Sequence, residues 1–194
     1  MKRALISVYD KTGIVSFARE FSKLGIEIIA TGGTLNKLQE GGVRFVKHVS
    51  DVTDFPEILE GRVKTEHPKL IGGILALKDN KKHVKDLVRY GIKPIDMVVC
   101  NLYPFEKLIA QEVDLKTALE NIDIGGPNMI RAAAKNFESV VVVINPQRYN
   151  QILKEIKKRG DVSPRTRRVL AVEAFKETAR YENAIWKFLE KALS

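Results

Sequence analysis

The chain has 194 residues, of which 44% are hydrophobic and 29% are charged, as in an ordinary globular protein with a sizeable core. A single cysteine, Cys100, excludes an internal disulfide, and no apolar run approaches the roughly 18 residues of a membrane span. The formal net charge of +9 indicates either a nucleic-acid surface or attraction of an anionic substrate. Because the Lys and Arg clusters are interleaved with apolar residues at helical spacing, we expect solvated helix faces and no nucleic acid. From the single cysteine and the lack of a long apolar run we expect no membrane and a cytoplasmic protein.

Strand-like and helix-like segments alternate along the first two thirds of the chain. Four apolar, β-branched runs are strand candidates: residues 4–8, 26–30, 95–102 and 140–144. Asp10 is predicted to cap the first helix, and Gly25 to end it. Strands joined by helices in this way predict an α/β protein with three α/β/α layers and a mainly parallel central sheet.

The last part of the chain has a different pattern. Ser163 followed by Pro164 marks a helix start, since proline suits the first helical position. Apolar residues then recur at helical spacing from Ala171 to Leu189, which predicts one or two long amphipathic helices. We therefore expect one domain over residues 1–194, with residues 163–194 as a helical extension whose apolar surface suggests a homodimer contact.

Two predicted strands end in turns that suit a phosphate group. Residues 7–13 contain hydroxyls, a lysine and a glycine, and residues 31–34 read Thr-Gly-Gly-Thr. Backbone N–H groups at a helix start attract anions, and ligands of parallel sheets bind beyond the carboxyl ends of the strands. Neither turn is a Walker loop or a dinucleotide fingerprint, and Thr-Gly-Gly-Thr is also a plain tight turn. Their occurrence at two strand ends favours a phosphate site.

The segment of residues 62–68, Arg-Val-Lys-Thr-Glu-His-Pro, concentrates charge in a short stretch. If it is extended, Arg62 and Lys64 point to the same face, which is unfavourable unless an anion or a carboxylate lies opposite. A solvated surface strand is the alternative interpretation. Asn101 and Tyr103 follow a predicted strand and should emerge where a ligand would lie, although such a turn is also a common structural feature.

Residues 121–127 are a second candidate site segment. Pro127 can begin a helix, which would put Asp123 and two glycines at its N-terminus. Arg131 and Lys135 lie four residues apart on that helix, a spacing at which like charges repel. An anionic ligand would relieve the repulsion. Alternatively, Arg131 pairs with a carboxylate and Lys135 complements the helix C-terminus. The three histidines show no metal-ligand spacing, so we predict no metal.

Six motifs together resemble the inosine monophosphate (IMP) cyclohydrolase domain, whose fold is that of methylglyoxal synthase. They are residues 10–13, 31–34, 61–68, 101–105, 123–126 and 131–136. That domain is usually the N-terminal half of a bifunctional purine-biosynthesis protein, fused to a transformylase. The chain stops where the transformylase would begin, so the resemblance implies a cyclohydrolase alone, with a separate formylating enzyme as the source of its substrate.

The resemblance implies ring closure of 5-formamidoimidazole-4-carboxamide ribonucleotide to IMP with loss of water, without a cofactor or metal. Lys64, Tyr103 and Lys135 would stabilise the oxyanion and deliver a proton, and the resemblance does not say which of the three does which. Asp123 would orient or deprotonate the attacking nitrogen. The residues implied around the 5′-phosphate are Ser7, Lys11, Thr12, Thr31, Gly33 and Thr34. The residues implied around the base are Arg62, Thr65, Asn101, Ile124, Gly125 and Gly126.

Two positions depart from the family pattern. Tyr9 stands where a serine is common, and Glu66 stands where leucine is usual; we expect Glu66 to face away from Lys64.

Two rival functions share the phosphate turns. Methylglyoxal synthase gives no reason for residues 101–105 or 123–136. A non-catalytic regulatory module, like the effector-binding domain of carbamoyl phosphate synthetase, would not need the set of Lys64, Tyr103 and Lys135.

Overall fold

The computed structural model describes all 194 residues, which form five strands and ten α-helices. The strands are β1 (Arg3–Val8), β2 (Glu27–Ala30), β3 (Val46–His48), β4 (Met97–Asn101) and β5 (Val141–Val143). The helices are α1 (Ile14–Lys23), α2 (Gly32–Glu40), α3 (Val49–Thr53), α4 (Pro68–Leu75), α5 (Lys81–Arg89), α6 (Phe105–Ile109), α7 (Leu115–Glu120), α8 (Gly125–Lys135), α9 (Tyr149–Arg159) and α10 (Pro164–Leu193). Two short 3-10 turns lie at Leu59–Gly61 and Pro146–Arg148.

The strands form one fully parallel sheet in the order β3-β2-β1-β4-β5. Ala4, Leu5 and Ile6 in the central strand are each 0% exposed. Because successive strand residues point to opposite faces, both faces of the sheet are covered. The predicted α/β fold with helices on both sides of a parallel sheet is therefore confirmed.

The helices pack in two groups around this sheet. In the first group, α1 contacts α2 and α9, where the rings of Phe17 and Tyr149 stack with centroids 4.2 Å apart. In the second, α8 contacts α4, α10, β4 and β5. One hydrophobic cluster of 44 buried residues runs through sheet and helices and includes Tyr181 and Ile185 of α10.

The predicted helix start at Ser163 is confirmed, and the stretch that follows is one continuous helix, α10. The hydroxyl of Ser163 accepts a hydrogen bond from the backbone N–H of Thr166 at 3.3 Å, which caps the helix. α10 packs along α8 and β5. Neither it nor any other helix has the length and apolar character needed to cross a membrane.

The order of the strands creates a crevice at their carboxyl ends. β1 lies between β2 and β4. β2 is the next strand along the chain, and β4 begins about seventy residues after the start of β2. Val8 and Asn101, the last residues of β1 and β4, are register partners. Connections that leave neighbouring strands in opposite directions open a space at this point, where α/β proteins bind ligands.

One local prediction is wrong, and the extended conformation considered for residues 62–65 does not form. Asp10 does not cap α1: the N-cap is Gly13, at φ 70°, and the Asp10 carboxylate instead accepts from the Thr12 N–H at 2.9 Å in the preceding turn. Residues 62–65 are not a strand, since only Val63 forms an isolated bridge, with Ile58. The chain turns there because Gly61, at φ 86°, closes a 3-10 turn and α4 begins shortly afterwards.

Candidate active site

A pocket of about 860 Å³ opens beyond the carboxyl ends of β1, β2 and β4. This volume lies within the range of small-molecule sites. The pocket brings together every site residue predicted from the sequence except Thr12 and Lys135. It also contains residues that were not predicted, among them Tyr9, Glu60, Glu66, Glu120 and Met129.

One end of the pocket is formed by the ends of β1 and β2 and is rich in hydrogen-bonding groups. The hydroxyls of Ser7 and Thr31 lie 2.9 Å apart, and the Thr34 hydroxyl bonds both the N–H and the carbonyl of Val8, at 3.1 and 3.2 Å. The N–H groups of Gly32 and Gly33, in the first turn of α2, have no acceptor within the chain. Unpaired N–H groups at a helix start make this end suited to an anion.

The side chain of Asn101 holds the turn between β1 and α1. Its amide oxygen accepts from the N–H groups of Tyr9 and Asp10, at 2.7 and 2.8 Å, and its amide nitrogen donates to the Asp10 carbonyl at 3.1 Å. Both acceptor sites of that oxygen are therefore occupied within the chain. Asn101 shapes the phosphate end of the pocket, and its contact with the base stays a prediction.

Lys11 and Thr12 follow in the same turn. The Lys11 ammonium lies over the end of β1 and donates to the Val8 carbonyl at 3.0 Å. Lys11 is thus the one charged side chain that the turns after β1 and β2 contribute to the pocket lining. Thr12 is exposed and lies outside the lining, because the tight turn at Asp10 directs it away.

The other end of the pocket contains Asp123, in the loop between α7 and α8. Its carboxylate accepts from the N–H of Gly126 at 2.8 Å, and its own N–H donates to the hydroxyl of Tyr181 at 2.8 Å. A Cβ atom on Gly126 would lie 2.2 Å from the carboxylate and 2.7 Å from a methyl group of Leu102. Only glycine at position 126 leaves room for this arrangement.

The pKa of Asp123 is raised above its ordinary value, chiefly because burial disfavours the charged carboxylate. The hydrogen bond from Gly126 and the ammonium of Lys64 lower this pKa, and the nearby carboxylate of Glu66 raises it. A carboxylate with a raised pKa, facing a pocket and a lysine, is a candidate general base.

Glu66 lies inside the pocket beside Lys64, so the prediction that it faces away is wrong. Its carboxylate accepts from the Thr65 hydroxyl at 3.0 Å, and one of its oxygens lies 2.7 Å from where a Cβ on Gly125 would be. Glu66 therefore occupies the N-terminal end of α8, where a negative charge is favourable. The prediction had no basis in strand alternation, because residues two apart on an extended segment share a face. The chain also bends at Lys64 and Thr65 and does not continue as a strand.

The rim of the pocket is formed by charged and aromatic side chains. Arg62 pairs with Glu120 of α7 across the opening, and both side chains are at least half exposed. Tyr103 meets the ring of Tyr9 edge-on, with centroids 4.7 Å apart and planes at 84°. Tyr9, in the place of the usual serine, thus supplies an aromatic contact to Tyr103 in place of a hydroxyl.

Lys135 is not brought to the pocket. It is the last residue of α8, ten residues from Gly125 at the pocket end, and it is exposed. At 1.5 Å per residue, the two positions are about 15 Å apart along the helix axis. The motif spacing in the sequence cannot convey this, because it does not say which end of a helix faces a ligand.

The charges of the pocket are unevenly distributed. All four carboxylates of the lining belong to residues 60–66 and 120–123, together with Arg62 and Lys64. The turns after β1 and β2 contribute Lys11 and no acidic lining residue. The pocket therefore has an anion-accepting end and an end that combines acidic and basic groups. No three His, Cys, Asp or Glu side chains are grouped so as to hold a metal ion.

Comparisons with known proteins agree with this architecture. Residues 13–128 match the family model described as an MGS-like domain, and residues 133–194 match the model described as the AICARFT/IMPCHase bienzyme. Over 95% of the chain, the fold is similar to a crystal structure of ForH, with a TM-score of 0.83, 32% sequence identity and 96% of that structure covered.

Sequence relatives cover the whole length of the chain. It is 54% identical over 97% of its residues to the bifunctional purine biosynthesis protein PurH of Thermoanaerobacter sp. (strain X514), and 50% identical over 97% to PurH of Bacillus subtilis (strain 168). In both cases the chain spans only 37% of the relative's length. The resemblance seen in the six motifs is confirmed: the chain belongs to the MGS-like domain family, and it matches one segment of the PurH proteins.

Proposed function

We propose that this chain is an IMP cyclohydrolase, which closes 5-formamidoimidazole-4-carboxamide ribonucleotide to IMP with loss of water in the last step of de novo purine biosynthesis. The observation that carries the proposal is a single pocket with unpaired N–H groups and Lys11 at one end and Asp123, Lys64 and Tyr103 at the other. The names of the PurH relatives and of the family model matched by residues 133–194 support the same reaction.

The substrate's 5′-phosphate would lie at the β1–β2 end of the pocket. There it would accept hydrogen bonds from the N–H groups of Gly32 and Gly33 and from the hydroxyls of Ser7 and Thr31. Lys11 would supply the balancing charge. The Thr34 hydroxyl is already bonded to Val8, so its contribution is to hold α2 in place.

The base would then extend toward α8, next to Arg62, Thr65 and the backbone of Ile124 and Gly125. Ring closure joins the carboxamide nitrogen to the formyl carbon and breaks that carbon's bond to oxygen, which leaves as water. An amide nitrogen is a weak nucleophile, so holding it against the formyl carbon is a large part of catalysis.

Three side chains at this end match the remaining demands of the reaction. Asp123 would accept a proton from the attacking nitrogen, and its raised pKa makes it a better base than an ordinary aspartate. Lys64 and the phenol of Tyr103 would stabilise the oxyanion and protonate the departing oxygen. We assign no contact with the substrate to Lys135, which lies at the far end of α8.

We also propose a homodimer, a cytoplasmic location and a formylation step upstream. The dimer proposal is supported by the exposed side chains of Val169, Val172 and Phe175, which lie about one turn apart on α10. The location is supported by the single, buried cysteine. The substrate carries a formyl group, so a formylating activity, on this polypeptide or a separate one, must precede the reaction.

The proposal is tested by following ring closure in the ultraviolet with the purified chain and the formylated ribonucleotide. We expect turnover without added metal or cofactor, and saturable binding of IMP in a separate titration. Binding of IMP without turnover would favour the regulatory-module alternative and contradict the assignment of Asp123 and Lys64. Absence of both binding and turnover would contradict the proposed substrate as well.

A further inference from the structure

Tyr181 of α10 reaches the loop that carries Asp123, although 58 residues separate the two in sequence. Its hydroxyl accepts the backbone N–H of Asp123 at 2.8 Å, and its side chain is buried, with the residue 2% exposed. Burial raises the pKa of Tyr181 to about 12. The phenol therefore stays neutral at physiological pH and keeps its hydrogen-bonding geometry.

The hydrogen bond that the Asp123 N–H donates to Tyr181 is one of two that fix Asp123. The other holds its carboxylate, through the N–H of Gly126 at 2.8 Å. The two preceding residues, Asn121 and Ile122, bond back to α7, so Asp123 is the first residue of the loop whose N–H points away from that helix. Without the phenol, this N–H has no other acceptor in the chain, and the turn that aims the carboxylate loses one of its two anchors.

The position of Tyr181 is itself defined by aromatic packing. Its ring meets Phe105 at 6.3 Å between centroids, and Phe188, two turns later on α10, meets Phe105 at 5.8 Å. Phe105 begins α6, directly after Tyr103 and Pro104. α10 thus contacts Asp123 directly and packs against Phe105, which lies two residues after the lining residue Tyr103.

We propose that Tyr181 is a positioning residue, which holds the backbone at Asp123 so that the carboxylate points at the reacting atoms. Tyr181 is not itself part of the pocket lining, and it acts on the pocket through Asp123 alone. The inference rests on the proposed role of Asp123 as general base.

The first test is Tyr181→Phe, which keeps the buried ring and removes only the hydroxyl. We expect kcat for ring closure to fall about tenfold while KM stays within twofold, because the hydroxyl orients the base and does not bind the nucleotide. Tyr90→Phe, an exposed tyrosine at the end of α5, is the matched control and should leave both constants unchanged. A wild-type kcat in Tyr181→Phe, or a raised KM with unchanged kcat, would overturn the inference.

A double-mutant cycle shows whether the hydroxyl acts through Asp123. In an Asp123→Asn background, Tyr181→Phe should change the residual rate by less than twofold, because the group that it positions no longer accepts a proton. An equal loss in both backgrounds would mean that Tyr181 acts elsewhere, and the inference would be rejected.

Hydrogen exchange of the Asp123 amide gives a readout that does not depend on the reaction. Removing its acceptor should accelerate exchange of this amide at least tenfold in Tyr181→Phe, with amides of β1 and β4 unaffected. Unchanged exchange would overturn the inference. If the wild-type chain does not close the ring, the proposed function fails, while the exchange measurement still decides whether Tyr181 anchors Asp123.

Discussion

At the scale of single residues, the pocket holds Asp123 in surroundings that disfavour its charge. Burial raises its pKa, and Glu66 raises it further, while Gly126 and Lys64 lower it. A group whose folded-state pKa is raised binds its proton more tightly in the folded than in the unfolded chain. Stability is therefore lost as the pH rises from the unfolded pKa, about 3.9, through the raised folded value.

We predict that Asp123→Asn raises the free energy of unfolding at pH 7, because the asparagine oxygen still accepts from Gly126 and carries no charge. This gain in the free energy of unfolding should shrink as the pH falls through the pKa of Asp123 in the folded chain, and it should vanish below about pH 4. Urea unfolding at several pH values measures it.

Asp96→Asn is the matched control of opposite sign. Burial raises the pKa of Asp96, but Lys78 and the N–H groups of Lys2 and Arg3 lower it more, so the net pKa is lowered. Its charge should stabilise the fold at pH 7, and its removal should cost stability. A loss of stability in Asp123→Asn would show that the charge of the buried Asp123 carboxylate does not destabilise the fold.

Asn101 is a second residue whose effect depends on its hydrogen bonds. Asn101→Ala leaves the N–H groups of Tyr9 and Asp10 without their acceptor. We expect the affinity for IMP to fall about tenfold, since the turn that faces the phosphate loosens, with a loss of about 1–3 kcal/mol in stability. Calorimetric titration measures the affinity, and Asn36→Ala on the exposed face of α2 is the control. Unchanged IMP affinity in Asn101→Ala would contradict the role given to this side chain.

At the scale of elements, the start of α8 brings the acidic groups of the pocket together. Gly125 leaves room for Glu66 and Thr65, and Gly126 leaves room for Asp123 and Leu102. Both glycines have ordinary negative φ angles, so what they supply is space and not conformational freedom. The helix start and the carboxylates therefore depend on one another.

We predict that Gly126→Ala lowers kcat at least a hundredfold, because a Cβ at 2.2 Å from the carboxylate must displace Asp123. Gly72→Ala on α4 is the control, since its Cβ would meet only the end of the Ile92 side chain, at 3.2 Å. Steady-state kinetics and melting temperatures of both variants make the comparison. Wild-type turnover in Gly126→Ala would contradict the tight packing described.

The sequence predicted elements well where one strong local pattern decides the structure. The apolar runs at residues 4–8 and 140–144 became buried strands, and the turn at residues 31–34 lies at the pocket as expected. The extended conformation considered for residues 62–65 does not form, because Gly61 and the start of α4 impose a turn. Lys135 was assigned to the site from the family motif. The motif does not show that this residue lies at the far end of α8.

At the scale of the whole molecule, the fold carries information that no local pattern holds. The bond between Tyr181 and Asp123, and that of Asn101 to the first turn, join residues 58 and about ninety positions apart. Tyr181 stands in an amphipathic helix whose pattern predicts only burial. Such pairings arise when strand order and helix packing are set, so they could not be predicted from the sequence.

The net charge of +9 should act on the association of an anionic nucleotide. We predict that kcat/KM falls as ionic strength rises from about 0.01 to 0.15 M, where the screening length shortens from about 30 to 8 Å, with kcat nearly constant. Initial rates in potassium chloride measure this. An equal fall in kcat would mean that salt acts on the chemistry and not on association.

The most direct test of the account is the initial rate of ring closure by the wild-type chain and by Lys64→Ala, measured together with IMP affinity. Lys64 lies in the pocket, near enough to Asp123 to lower the pKa of that carboxylate. We predict turnover by the wild type, a loss of at least a hundredfold in Lys64→Ala, and IMP affinities within about fivefold of each other. Ring closure by Lys64→Ala at the wild-type rate would contradict the account.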